Sequence, residues 1–305
     1  MIEKILPEFL TDILKNKLDY NYVYEIRIRS QLPIIVNYGG RYYYLNSEGV
    51  GGRDDGSIVT DRKMLEAIIY RAADYSMYAV NNQLKHSFIT VTGGIRIGIC
   101  GELVIEDQKI KSVKNFTSLV IRIPHEVNNC ALTAYHFIAQ DEIYNSLIIS
   151  PPGCGKTTFL RDIARLLSQS DFIRNTLIID ERYEIASCYN GIPQLNVGKF
   201  TDVISNCDKL YGFEQGIRAM KPDVIITDEL ANQSDLDAVI YAAGCGVKII
   251  ASAHAYDHTD LINKPGFDNI IKKRLFERFV VLSNKRGPGT YEGVYDNQFN
   301  KIYIP

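Results

Sequence analysis

Ser146-Leu147-Ile148-Ile149-Ser150-Pro151-Pro152-Gly153-Cys154-Gly155-Lys156-Thr157-Thr158 is the stretch whose reading decides the fold. It begins as a short apolar run of the kind a buried strand takes, and two prolines and two glycines then stop it. From Ser150 onward it matches G-x-x-x-x-G-K-S/T at every fixed position but the first, where serine stands for glycine. Beyond it, Leu160, Ile163, Ala164 and Leu167 recur at helical spacing, so the turn opens a helix with one buried stripe. A strand, a glycine-rich turn and a helix in that order make a cradle for phosphate. The glycines let successive backbone N–H groups turn inward, and the positive end of the helix dipole faces the anion. The expected nucleotide-binding residues are therefore Ser150, Pro151, Pro152, Gly153, Cys154, Gly155, Lys156, Thr157 and Thr158. Lys156 would reach the β and γ oxygens, and Thr157 would offer its hydroxyl to Mg2+. ATP and Mg2+ are the ligand and cofactor this loop calls for.

Working outward, buried strands alternate with helices after residue 125. Leu147 to Ser150, Thr176 to Asp180, Val224 to Asp228, Val247 to Ser252 and Phe279 to Ser283 read as strands, and Leu236, Val239, Ile240 and Ala243 mark a further helix. This alternation predicts an α/β domain with a mostly parallel sheet covered by helices on both faces. The half before the loop reads differently. Ile2, Ile5, Leu6, Phe9, Leu10, Ile13 and Leu14 place a core-facing stripe on an opening helix, and Asp61 to Ala73 holds a second helix. In Val23 to Arg29, Ile26 and Ile28 alternate with Arg27 and Arg29, and a β-rich stretch follows from Leu32 to Leu45. Phe88 to Val91, Ile95 to Ile99, Leu103 to Ile105 and Leu119 to Ile123 read as strands separated by glycine turns. This is a smaller α+β domain. The polar stretch Pro124 to Asn129 puts the boundary near residue 125, giving domains 1–125 and 126–305.

Composition narrows the function classes. The chain has 305 residues, 46% apolar and 23% charged, as an ordinary globular protein has, and its formal charge of −2 provides no global cationic field. With no basic, aromatic-interleaved stretch either, nucleic acid is not an expected partner. The six cysteines stand singly, without C-x-x-C pairs or zinc spacing, and no apolar run reaches the ~18 residues of a membrane span. A reducing cytoplasm is the expected compartment.

A phosphate cradle that hydrolyses its ligand needs acids for the metal and the attacking water. Asp223 to Glu229 supplies an apolar strand ending in two adjacent acids. Asp228 is placed to hold Mg2+ through water, and Glu229 to orient or deprotonate the nucleophile. Thr176 to Asp180 is a similar strand followed by Glu181, Arg182 and Glu184; on spacing alone Glu181 fits a carboxylate delivered to the γ-phosphate edge as well as a salt-bridged turn. His254 follows another buried strand at the carboxyl edge, where α/β sheets assemble ligand sites.

Several of these segments resemble one superfamily. Glu214-Gln215-Gly216-Ile217-Arg218-Ala219-Met220-Lys221-Pro222-Asp223, with Val224 to Leu230, is similar to the L-R-x-x-P-D-x-hydrophobic-G-E-I-R stretch of the RecA-like ATPases that power type II, type IV pilus and type IV secretion machines. Ile179 to Ile185 resembles their acidic box, and Ala251-Ser252-Ala253-His254 their histidine box. Glu25 to Arg29, Gly93 to Gly101, Ile121-Arg122-Ile123 and Asp180-Glu181-Arg182 resemble the stage III sporulation protein AA branch. Two departures stand out: Ser150 replaces the usual glycine, and Asn232-Gln233 stands where Arg or Gly-Arg often does.

The resemblance implies an ATPase of the mother cell, docked by membrane proteins of a channel complex between mother cell and forespore and assembled as a hexameric ring. It implies that Lys156 and Thr157 bind nucleotide and metal, that Glu229 is the catalytic acid, and that Glu181 and His254 line the γ-phosphate. Arg27, Arg29, Arg96, Arg122 and Arg218 are then the candidates for charge stabilisation. Two other readings stay open: a scaffold gated by nucleotide with negligible hydrolysis, and a RecA-like nucleic-acid translocase.

Overall fold

The computed structural model describes residues 2–139, 142–169 and 174–303. The chain forms two compact units. The first holds residues 1–125 together with the turn Tyr189–Gln194, and the second holds Glu126–Cys188 and Leu195–Pro305.

The first unit is a seven-stranded antiparallel sheet. Its strands are β1 (Val23–Arg29), β2 (Ile35–Tyr38), β3 (Arg41–Asn46), β4 (Gly49–Gly51), β5 (Phe88–Thr90), β6 (Arg96–Glu106) and β7 (Lys109–Arg122), ordered β4-β3-β2-β1-β7-β6-β5. The period of two in β1 sends Ile26 and Ile28 to the core and leaves Glu25, Arg27 and Arg29 on the opposite face. Three helices, α1 (Glu8–Lys17), α2 (Arg62–Ala72) and α3 (Asn81–Lys85), bring Leu10, Leu14, Leu65, Ile68, Ile69 and Leu84 into the same core as Ile26, Ile28, Ile97 and Ile121. Asp61 caps α2 by accepting the Met64 N–H at 2.8 Å.

The expected single opening helix is broken. A 3-10 turn over Ile2–Lys4 precedes Pro7, which starts α1, because a proline pushes the residue before it out of helical geometry. Phe9, expected in the buried stripe, is exposed. The stretch Leu32 to Leu45 is a hairpin whose turn, Gly39-Gly40, has both φ values positive, as a two-residue primed turn requires. Ile95 to Ile99 and Leu103 to Ile105 are one strand: a bulge at Gly101 keeps it continuous, and a Cβ there would lie 2.6 Å from the Lys114 carbonyl.

The turn Tyr189–Gln194 closes on itself through Tyr189 and Ile192, which exchange backbone hydrogen bonds of 2.9 and 3.0 Å. Gln194 Oε1 accepts the Gly93 N–H at 2.7 Å.

The second unit is an eight-stranded sheet. Its strands are β8 (Ser146–Ser150), β9 (Thr176–Asp180), β10 (Thr201–Ser205), β11 (Val224–Thr227), β12 (Lys248–His254), β13 (Arg278–Ser283), β14 (Thr290–Asp296) and β15 (Lys301–Tyr303), in the order β10-β9-β11-β12-β8-β13-β14-β15. The first six in that order run parallel, and β14 and β15 add on antiparallel. Helices α4 (Leu132–Ile138) and α5 (Lys156–Leu167) pack with Ile148, Ile178, Ile226 and Ile250; α6 (Lys209–Met220), α7 (Gln233–Gly244), α8 (His258–Ile262) and α9 (Phe267–Lys272) pack with Leu147, Leu177, Ile225 and Ile249. Both faces are covered, which is why the strands read as unbroken apolar runs. β10, β14 and β15 carry polar residues and were not legible as strands.

Candidate functional site

β8 ends at Ser150, and residues 151–155 turn into α5 through Gly153 and Gly155, both at positive φ. Lys156, the first residue of α5, is buried. Its ammonium donates to Ser150 O (3.0 Å), Ser150 Oγ (3.1 Å) and Pro151 O (3.1 Å), and lies 2.7 Å from His254 Nδ1. Burial pulls its pKa down to about 8, against the pull of the Glu229 charge. Ser150, the mismatch in the motif, thus has a use: its fully buried hydroxyl helps hold the lysine. Thr157 and Thr158 follow in the first turn of α5 and are half-buried, Cys154 is buried, and Pro151 to Gly153 stay at or near the surface.

The acids come from two neighbouring strand ends. Asp228 directly follows β11 and is buried; Glu229 beside it is half-buried, and its backbone N–H donates to Ser252 Oγ at 3.1 Å. The Glu229 carboxylate lies 3.5 Å from His254 Nε2 and 3.7 Å from an Arg182 guanidinium nitrogen. A polar chain therefore runs from Lys156 through His254 and Glu229 to Arg182.

After β9 the chain makes a tight turn that is held from both sides. Buried Asp180 accepts the N–H groups of Glu184, Ile185 and Ala186 at 2.7, 3.2 and 2.9 Å, while buried Arg161 of α5 donates to the carbonyls of Glu184 and Ile185 at 2.9 and 2.6 Å. Even with these bonds, burial raises the Asp180 pKa. The turn fixes Glu181, whose carboxylate binds Lys209 Nζ at 2.6 Å; the same ammonium lies 3.6 Å from Asp228. Burial pushes Asp228 up to about 7, with Lys209 opposing and Asp180, Glu184 and Glu181 adding to the rise. Burial also works against the Lys209 charge, but Asp228 and Glu181 outweigh it and raise its pKa.

The structure thus gathers Ser150, Lys156, Thr157, Glu181, Asp228, Glu229 and His254 at the carboxyl edge of one parallel sheet. Arg218 is not among them: it is exposed in the last turn of α6, nine residues from Lys209, or roughly 13 Å along the helix at ~1.5 Å per residue. Arg27, Arg29, Arg96 and Arg122 lie in the first unit on the sheet face opposite the helices. Cross-strand pairing sets Glu25 beside Arg122 and Arg122 beside Arg96. Glu25 pairs with Arg27 and lies 3.7 Å from Arg122, while Arg96 stacks on Phe88 at 4.0 Å.

Sequence reading missed Lys209, Arg161 and the β13–β14 connection, where the Gly289 N–H donates to Cys154 O at 3.0 Å and so braces the phosphate loop. Lys209 was traceable: it shares a three- and four-residue spacing with Gly212, Phe213 and Gly216, all buried. The unexpected Asn232 caps α7, forming a capping box with Asp235.

The family model for sporulation stage III, protein AA matches residues 1–302. The chain belongs to the stage III sporulation protein AA family. Within that family it is 35% identical to stage III sporulation protein AA of Bacillus subtilis (strain 168), over 99% of this chain and 96% of the relative. In fold it is similar to the pilus retraction motor PilT, solved with bound ADP (TM-score 0.59, 13% identity, 90% of this chain and 78% of that one). It is similar also to the Legionella pneumophila ATPase DotB (TM-score 0.57, 14% identity, 90% and 76%). The family member therefore has the fold of the type II/IV secretion ATPases. No helix among the described residues is long and apolar enough to cross a membrane.

Nucleotide and Mg2+ are implied by this fold, and the two residues expected to hold the metal, Thr157 at the start of α5 and Asp228 after β11, both offer oxygen, the donor a hard cation takes. Among the described residues no group of three or more His, Cys, Asp or Glu forms a metal cage.

Proposed function

We propose that this protein is a Mg2+-dependent ATPase of the secretion-motor type that energises or assembles a membrane channel complex between mother cell and forespore, working as a hexameric ring. The observation that carries the reading is the linked set at one sheet edge: Lys156 2.7 Å from His254, and His254 3.5 Å from Glu229, directly after a phosphate loop. The loop N–H groups and the dipole of α5 bind the phosphates. Lys156 exchanges its three oxygen partners in Ser150 and Pro151 for β and γ oxygens. Glu229 orients the attacking water and takes its proton, and His254 links that carboxylate to the lysine at the γ-phosphate. Thr157 and Asp228 would hold Mg2+, which offsets the charge on the phosphates. Glu181 shapes the same edge. Arg27, Arg29, Arg96 and Arg122 are the candidates for charge delivered from a neighbouring subunit, and membrane partners dock the motor. Phosphate release by the purified protein tests this: Glu229→Gln lowers it by roughly 10²–10⁴-fold, the usual worth of a positioned general base, while nucleotide binding survives. Unchanged turnover in Glu229→Gln would refute the assignment.

A second reading has one observation in its favour. Glu229 is engaged by Arg182 and His254, and Lys156 by carbonyls, so the site's charges are already satisfied within the chain. A nucleotide-gated scaffold would keep them so. Tight ATP binding without phosphate release, at all protein concentrations and with membrane partners present, would select it.

A further inference from the structure

We infer that Lys209 is a positioning residue, an internal cation that holds Asp228 and Glu181 together at the sheet edge and gives them up when a divalent cation arrives with nucleotide. The inference rests on the roles of Asp228 and Glu181 in the function proposed above.

The geometry is that of a stand-in for a metal. One ammonium, 4% exposed, lies 2.6 Å from Glu181 Oε2 and 3.6 Å from Asp228 Oδ1, and the two carboxylates come from different strands. Two acids brought together away from water repel each other and lose hydration, so one cation must neutralise them. Sequence builds this deliberately. Lys209, Gly212, Phe213 and Gly216 form the buried stripe of α6, a place where lysine is costly unless paired. The two glycines let the helix close on β9: a Cβ at Gly216 would lie 2.4 Å from Leu177 Cδ2, and one at Gly212 would lie 2.9 Å from Ile179 Cγ2. That close approach is what brings the ammonium between the acids. A lysine is suited to yielding, because its charge is a point on a flexible stem and does not bind a carboxylate through a fixed two-pronged fork as arginine does.

The test is thermal unfolding of the full chain without nucleotide, in MgCl2 or in NaCl at matched ionic strength. For the wild type the two salts give the same Tm, because Lys209 already fills the position. Lys209→Met melts lower in NaCl and recovers about 5 °C or more in millimolar MgCl2, since a cation that binds only the folded state stabilises it. Lys209→Gln, which keeps a hydrogen-bond donor for Glu181, behaves likewise if the methionine variant does not fold. A variant that folds only with MgCl2 present supports the inference. Loss of stability with no preference for MgCl2, or failure of both variants to fold at any MgCl2 concentration, overturns it. ATP binding by the wild type is measured alongside: its absence defeats the proposed function, whereas the magnesium response of Lys209→Met still decides the role of the lysine.

Discussion

In the first unit the buried polar side chains among the described residues are Thr11, Thr60 and Thr90. In the second they include eight charged ones: Lys156, Arg161, Asp162, Arg165, Asp180, Lys209, Asp228 and Asp235. The contrast follows from sheet architecture. An antiparallel sheet with helices on one face can send every charge to the other face, as Glu25, Arg27 and Arg122 show. In a parallel sheet covered on both faces the polar positions fall at strand ends and on the covering helices, and charges placed there are buried and must be paired. Buried charge accumulates in the second unit because its topology places charges where water is scarce.

The largest break in this contrast comes from the phosphate-loop lysine. Lys156→Met is expected to abolish nucleotide binding and to reduce phosphate release by 10³-fold or more on the order of a transition-state charge contact. The check is isothermal titration with ATP beside a phosphate assay. The same variant carries a pH signature. The folded pKa of Lys156, about 8, lies below its ordinary 10.5, so the charged lysine costs stability fully below pH 8 and progressively less up to 10.5. The Tm of Lys156→Met relative to wild type should therefore fall as pH is raised from 7 to 10; a difference that grows would contradict the assigned cause.

Next in size is Asp162→Ala. Asp162 pairs with Arg165 at 2.7 Å and accepts the Ala131 N–H at 2.9 Å, all out of solvent. Removing it leaves a buried guanidinium short of its partner, at a cost of ~3–5 kcal/mol in chemical denaturation. Leu65→Ala tests the other plan. It empties part of the first unit's apolar core and costs ~2–5 kcal/mol, yet is expected to leave ATP affinity unchanged, since that core belongs to the first unit and the phosphate loop to the second. The smallest effect is expected from Arg27→Ala. Its pair with Glu25 is partly solvated, so stability changes by less than ~1 kcal/mol. If phosphate release nevertheless falls severalfold at high protein concentration, the arginine acts on a neighbouring subunit; if it does not, Arg27 is a surface residue.

The same contrast explains what could be read from the chain. Buried parallel strands such as Leu147 to Ser150 and Val224 to Asp228 are short apolar runs with abrupt ends, so both strand and site edge were visible. Strands exposed on one side were visible where they alternate cleanly, as in Val23 to Arg29, but not where lysines or an edge position blur the pattern: Lys109 to Phe116 continues β7 with three lysines in eight residues, and Thr201 to Ser205 is a half-exposed edge strand. The phosphate loop, the acids and His254 were each legible because strand ends expose them in sequence as polar residues after apolar ones. The spacing of Lys209 with Gly212, Phe213 and Gly216 marks it as inward-facing, but its acids lie elsewhere in the chain, so its part as an internal counter-ion shows only in the tertiary packing of α6. Pro7 alone should have divided the opening helix.

The turn Tyr189–Gln194 makes the first unit discontinuous in sequence, and this bears on the order of synthesis. A ribosome completes the seven strands well before it reaches Gln194, whose side chain accepts the Gly93 N–H. The Gly93 N–H gains this partner only once a segment that follows the phosphate loop has been made. Neither unit corresponds to one continuous stretch of the gene.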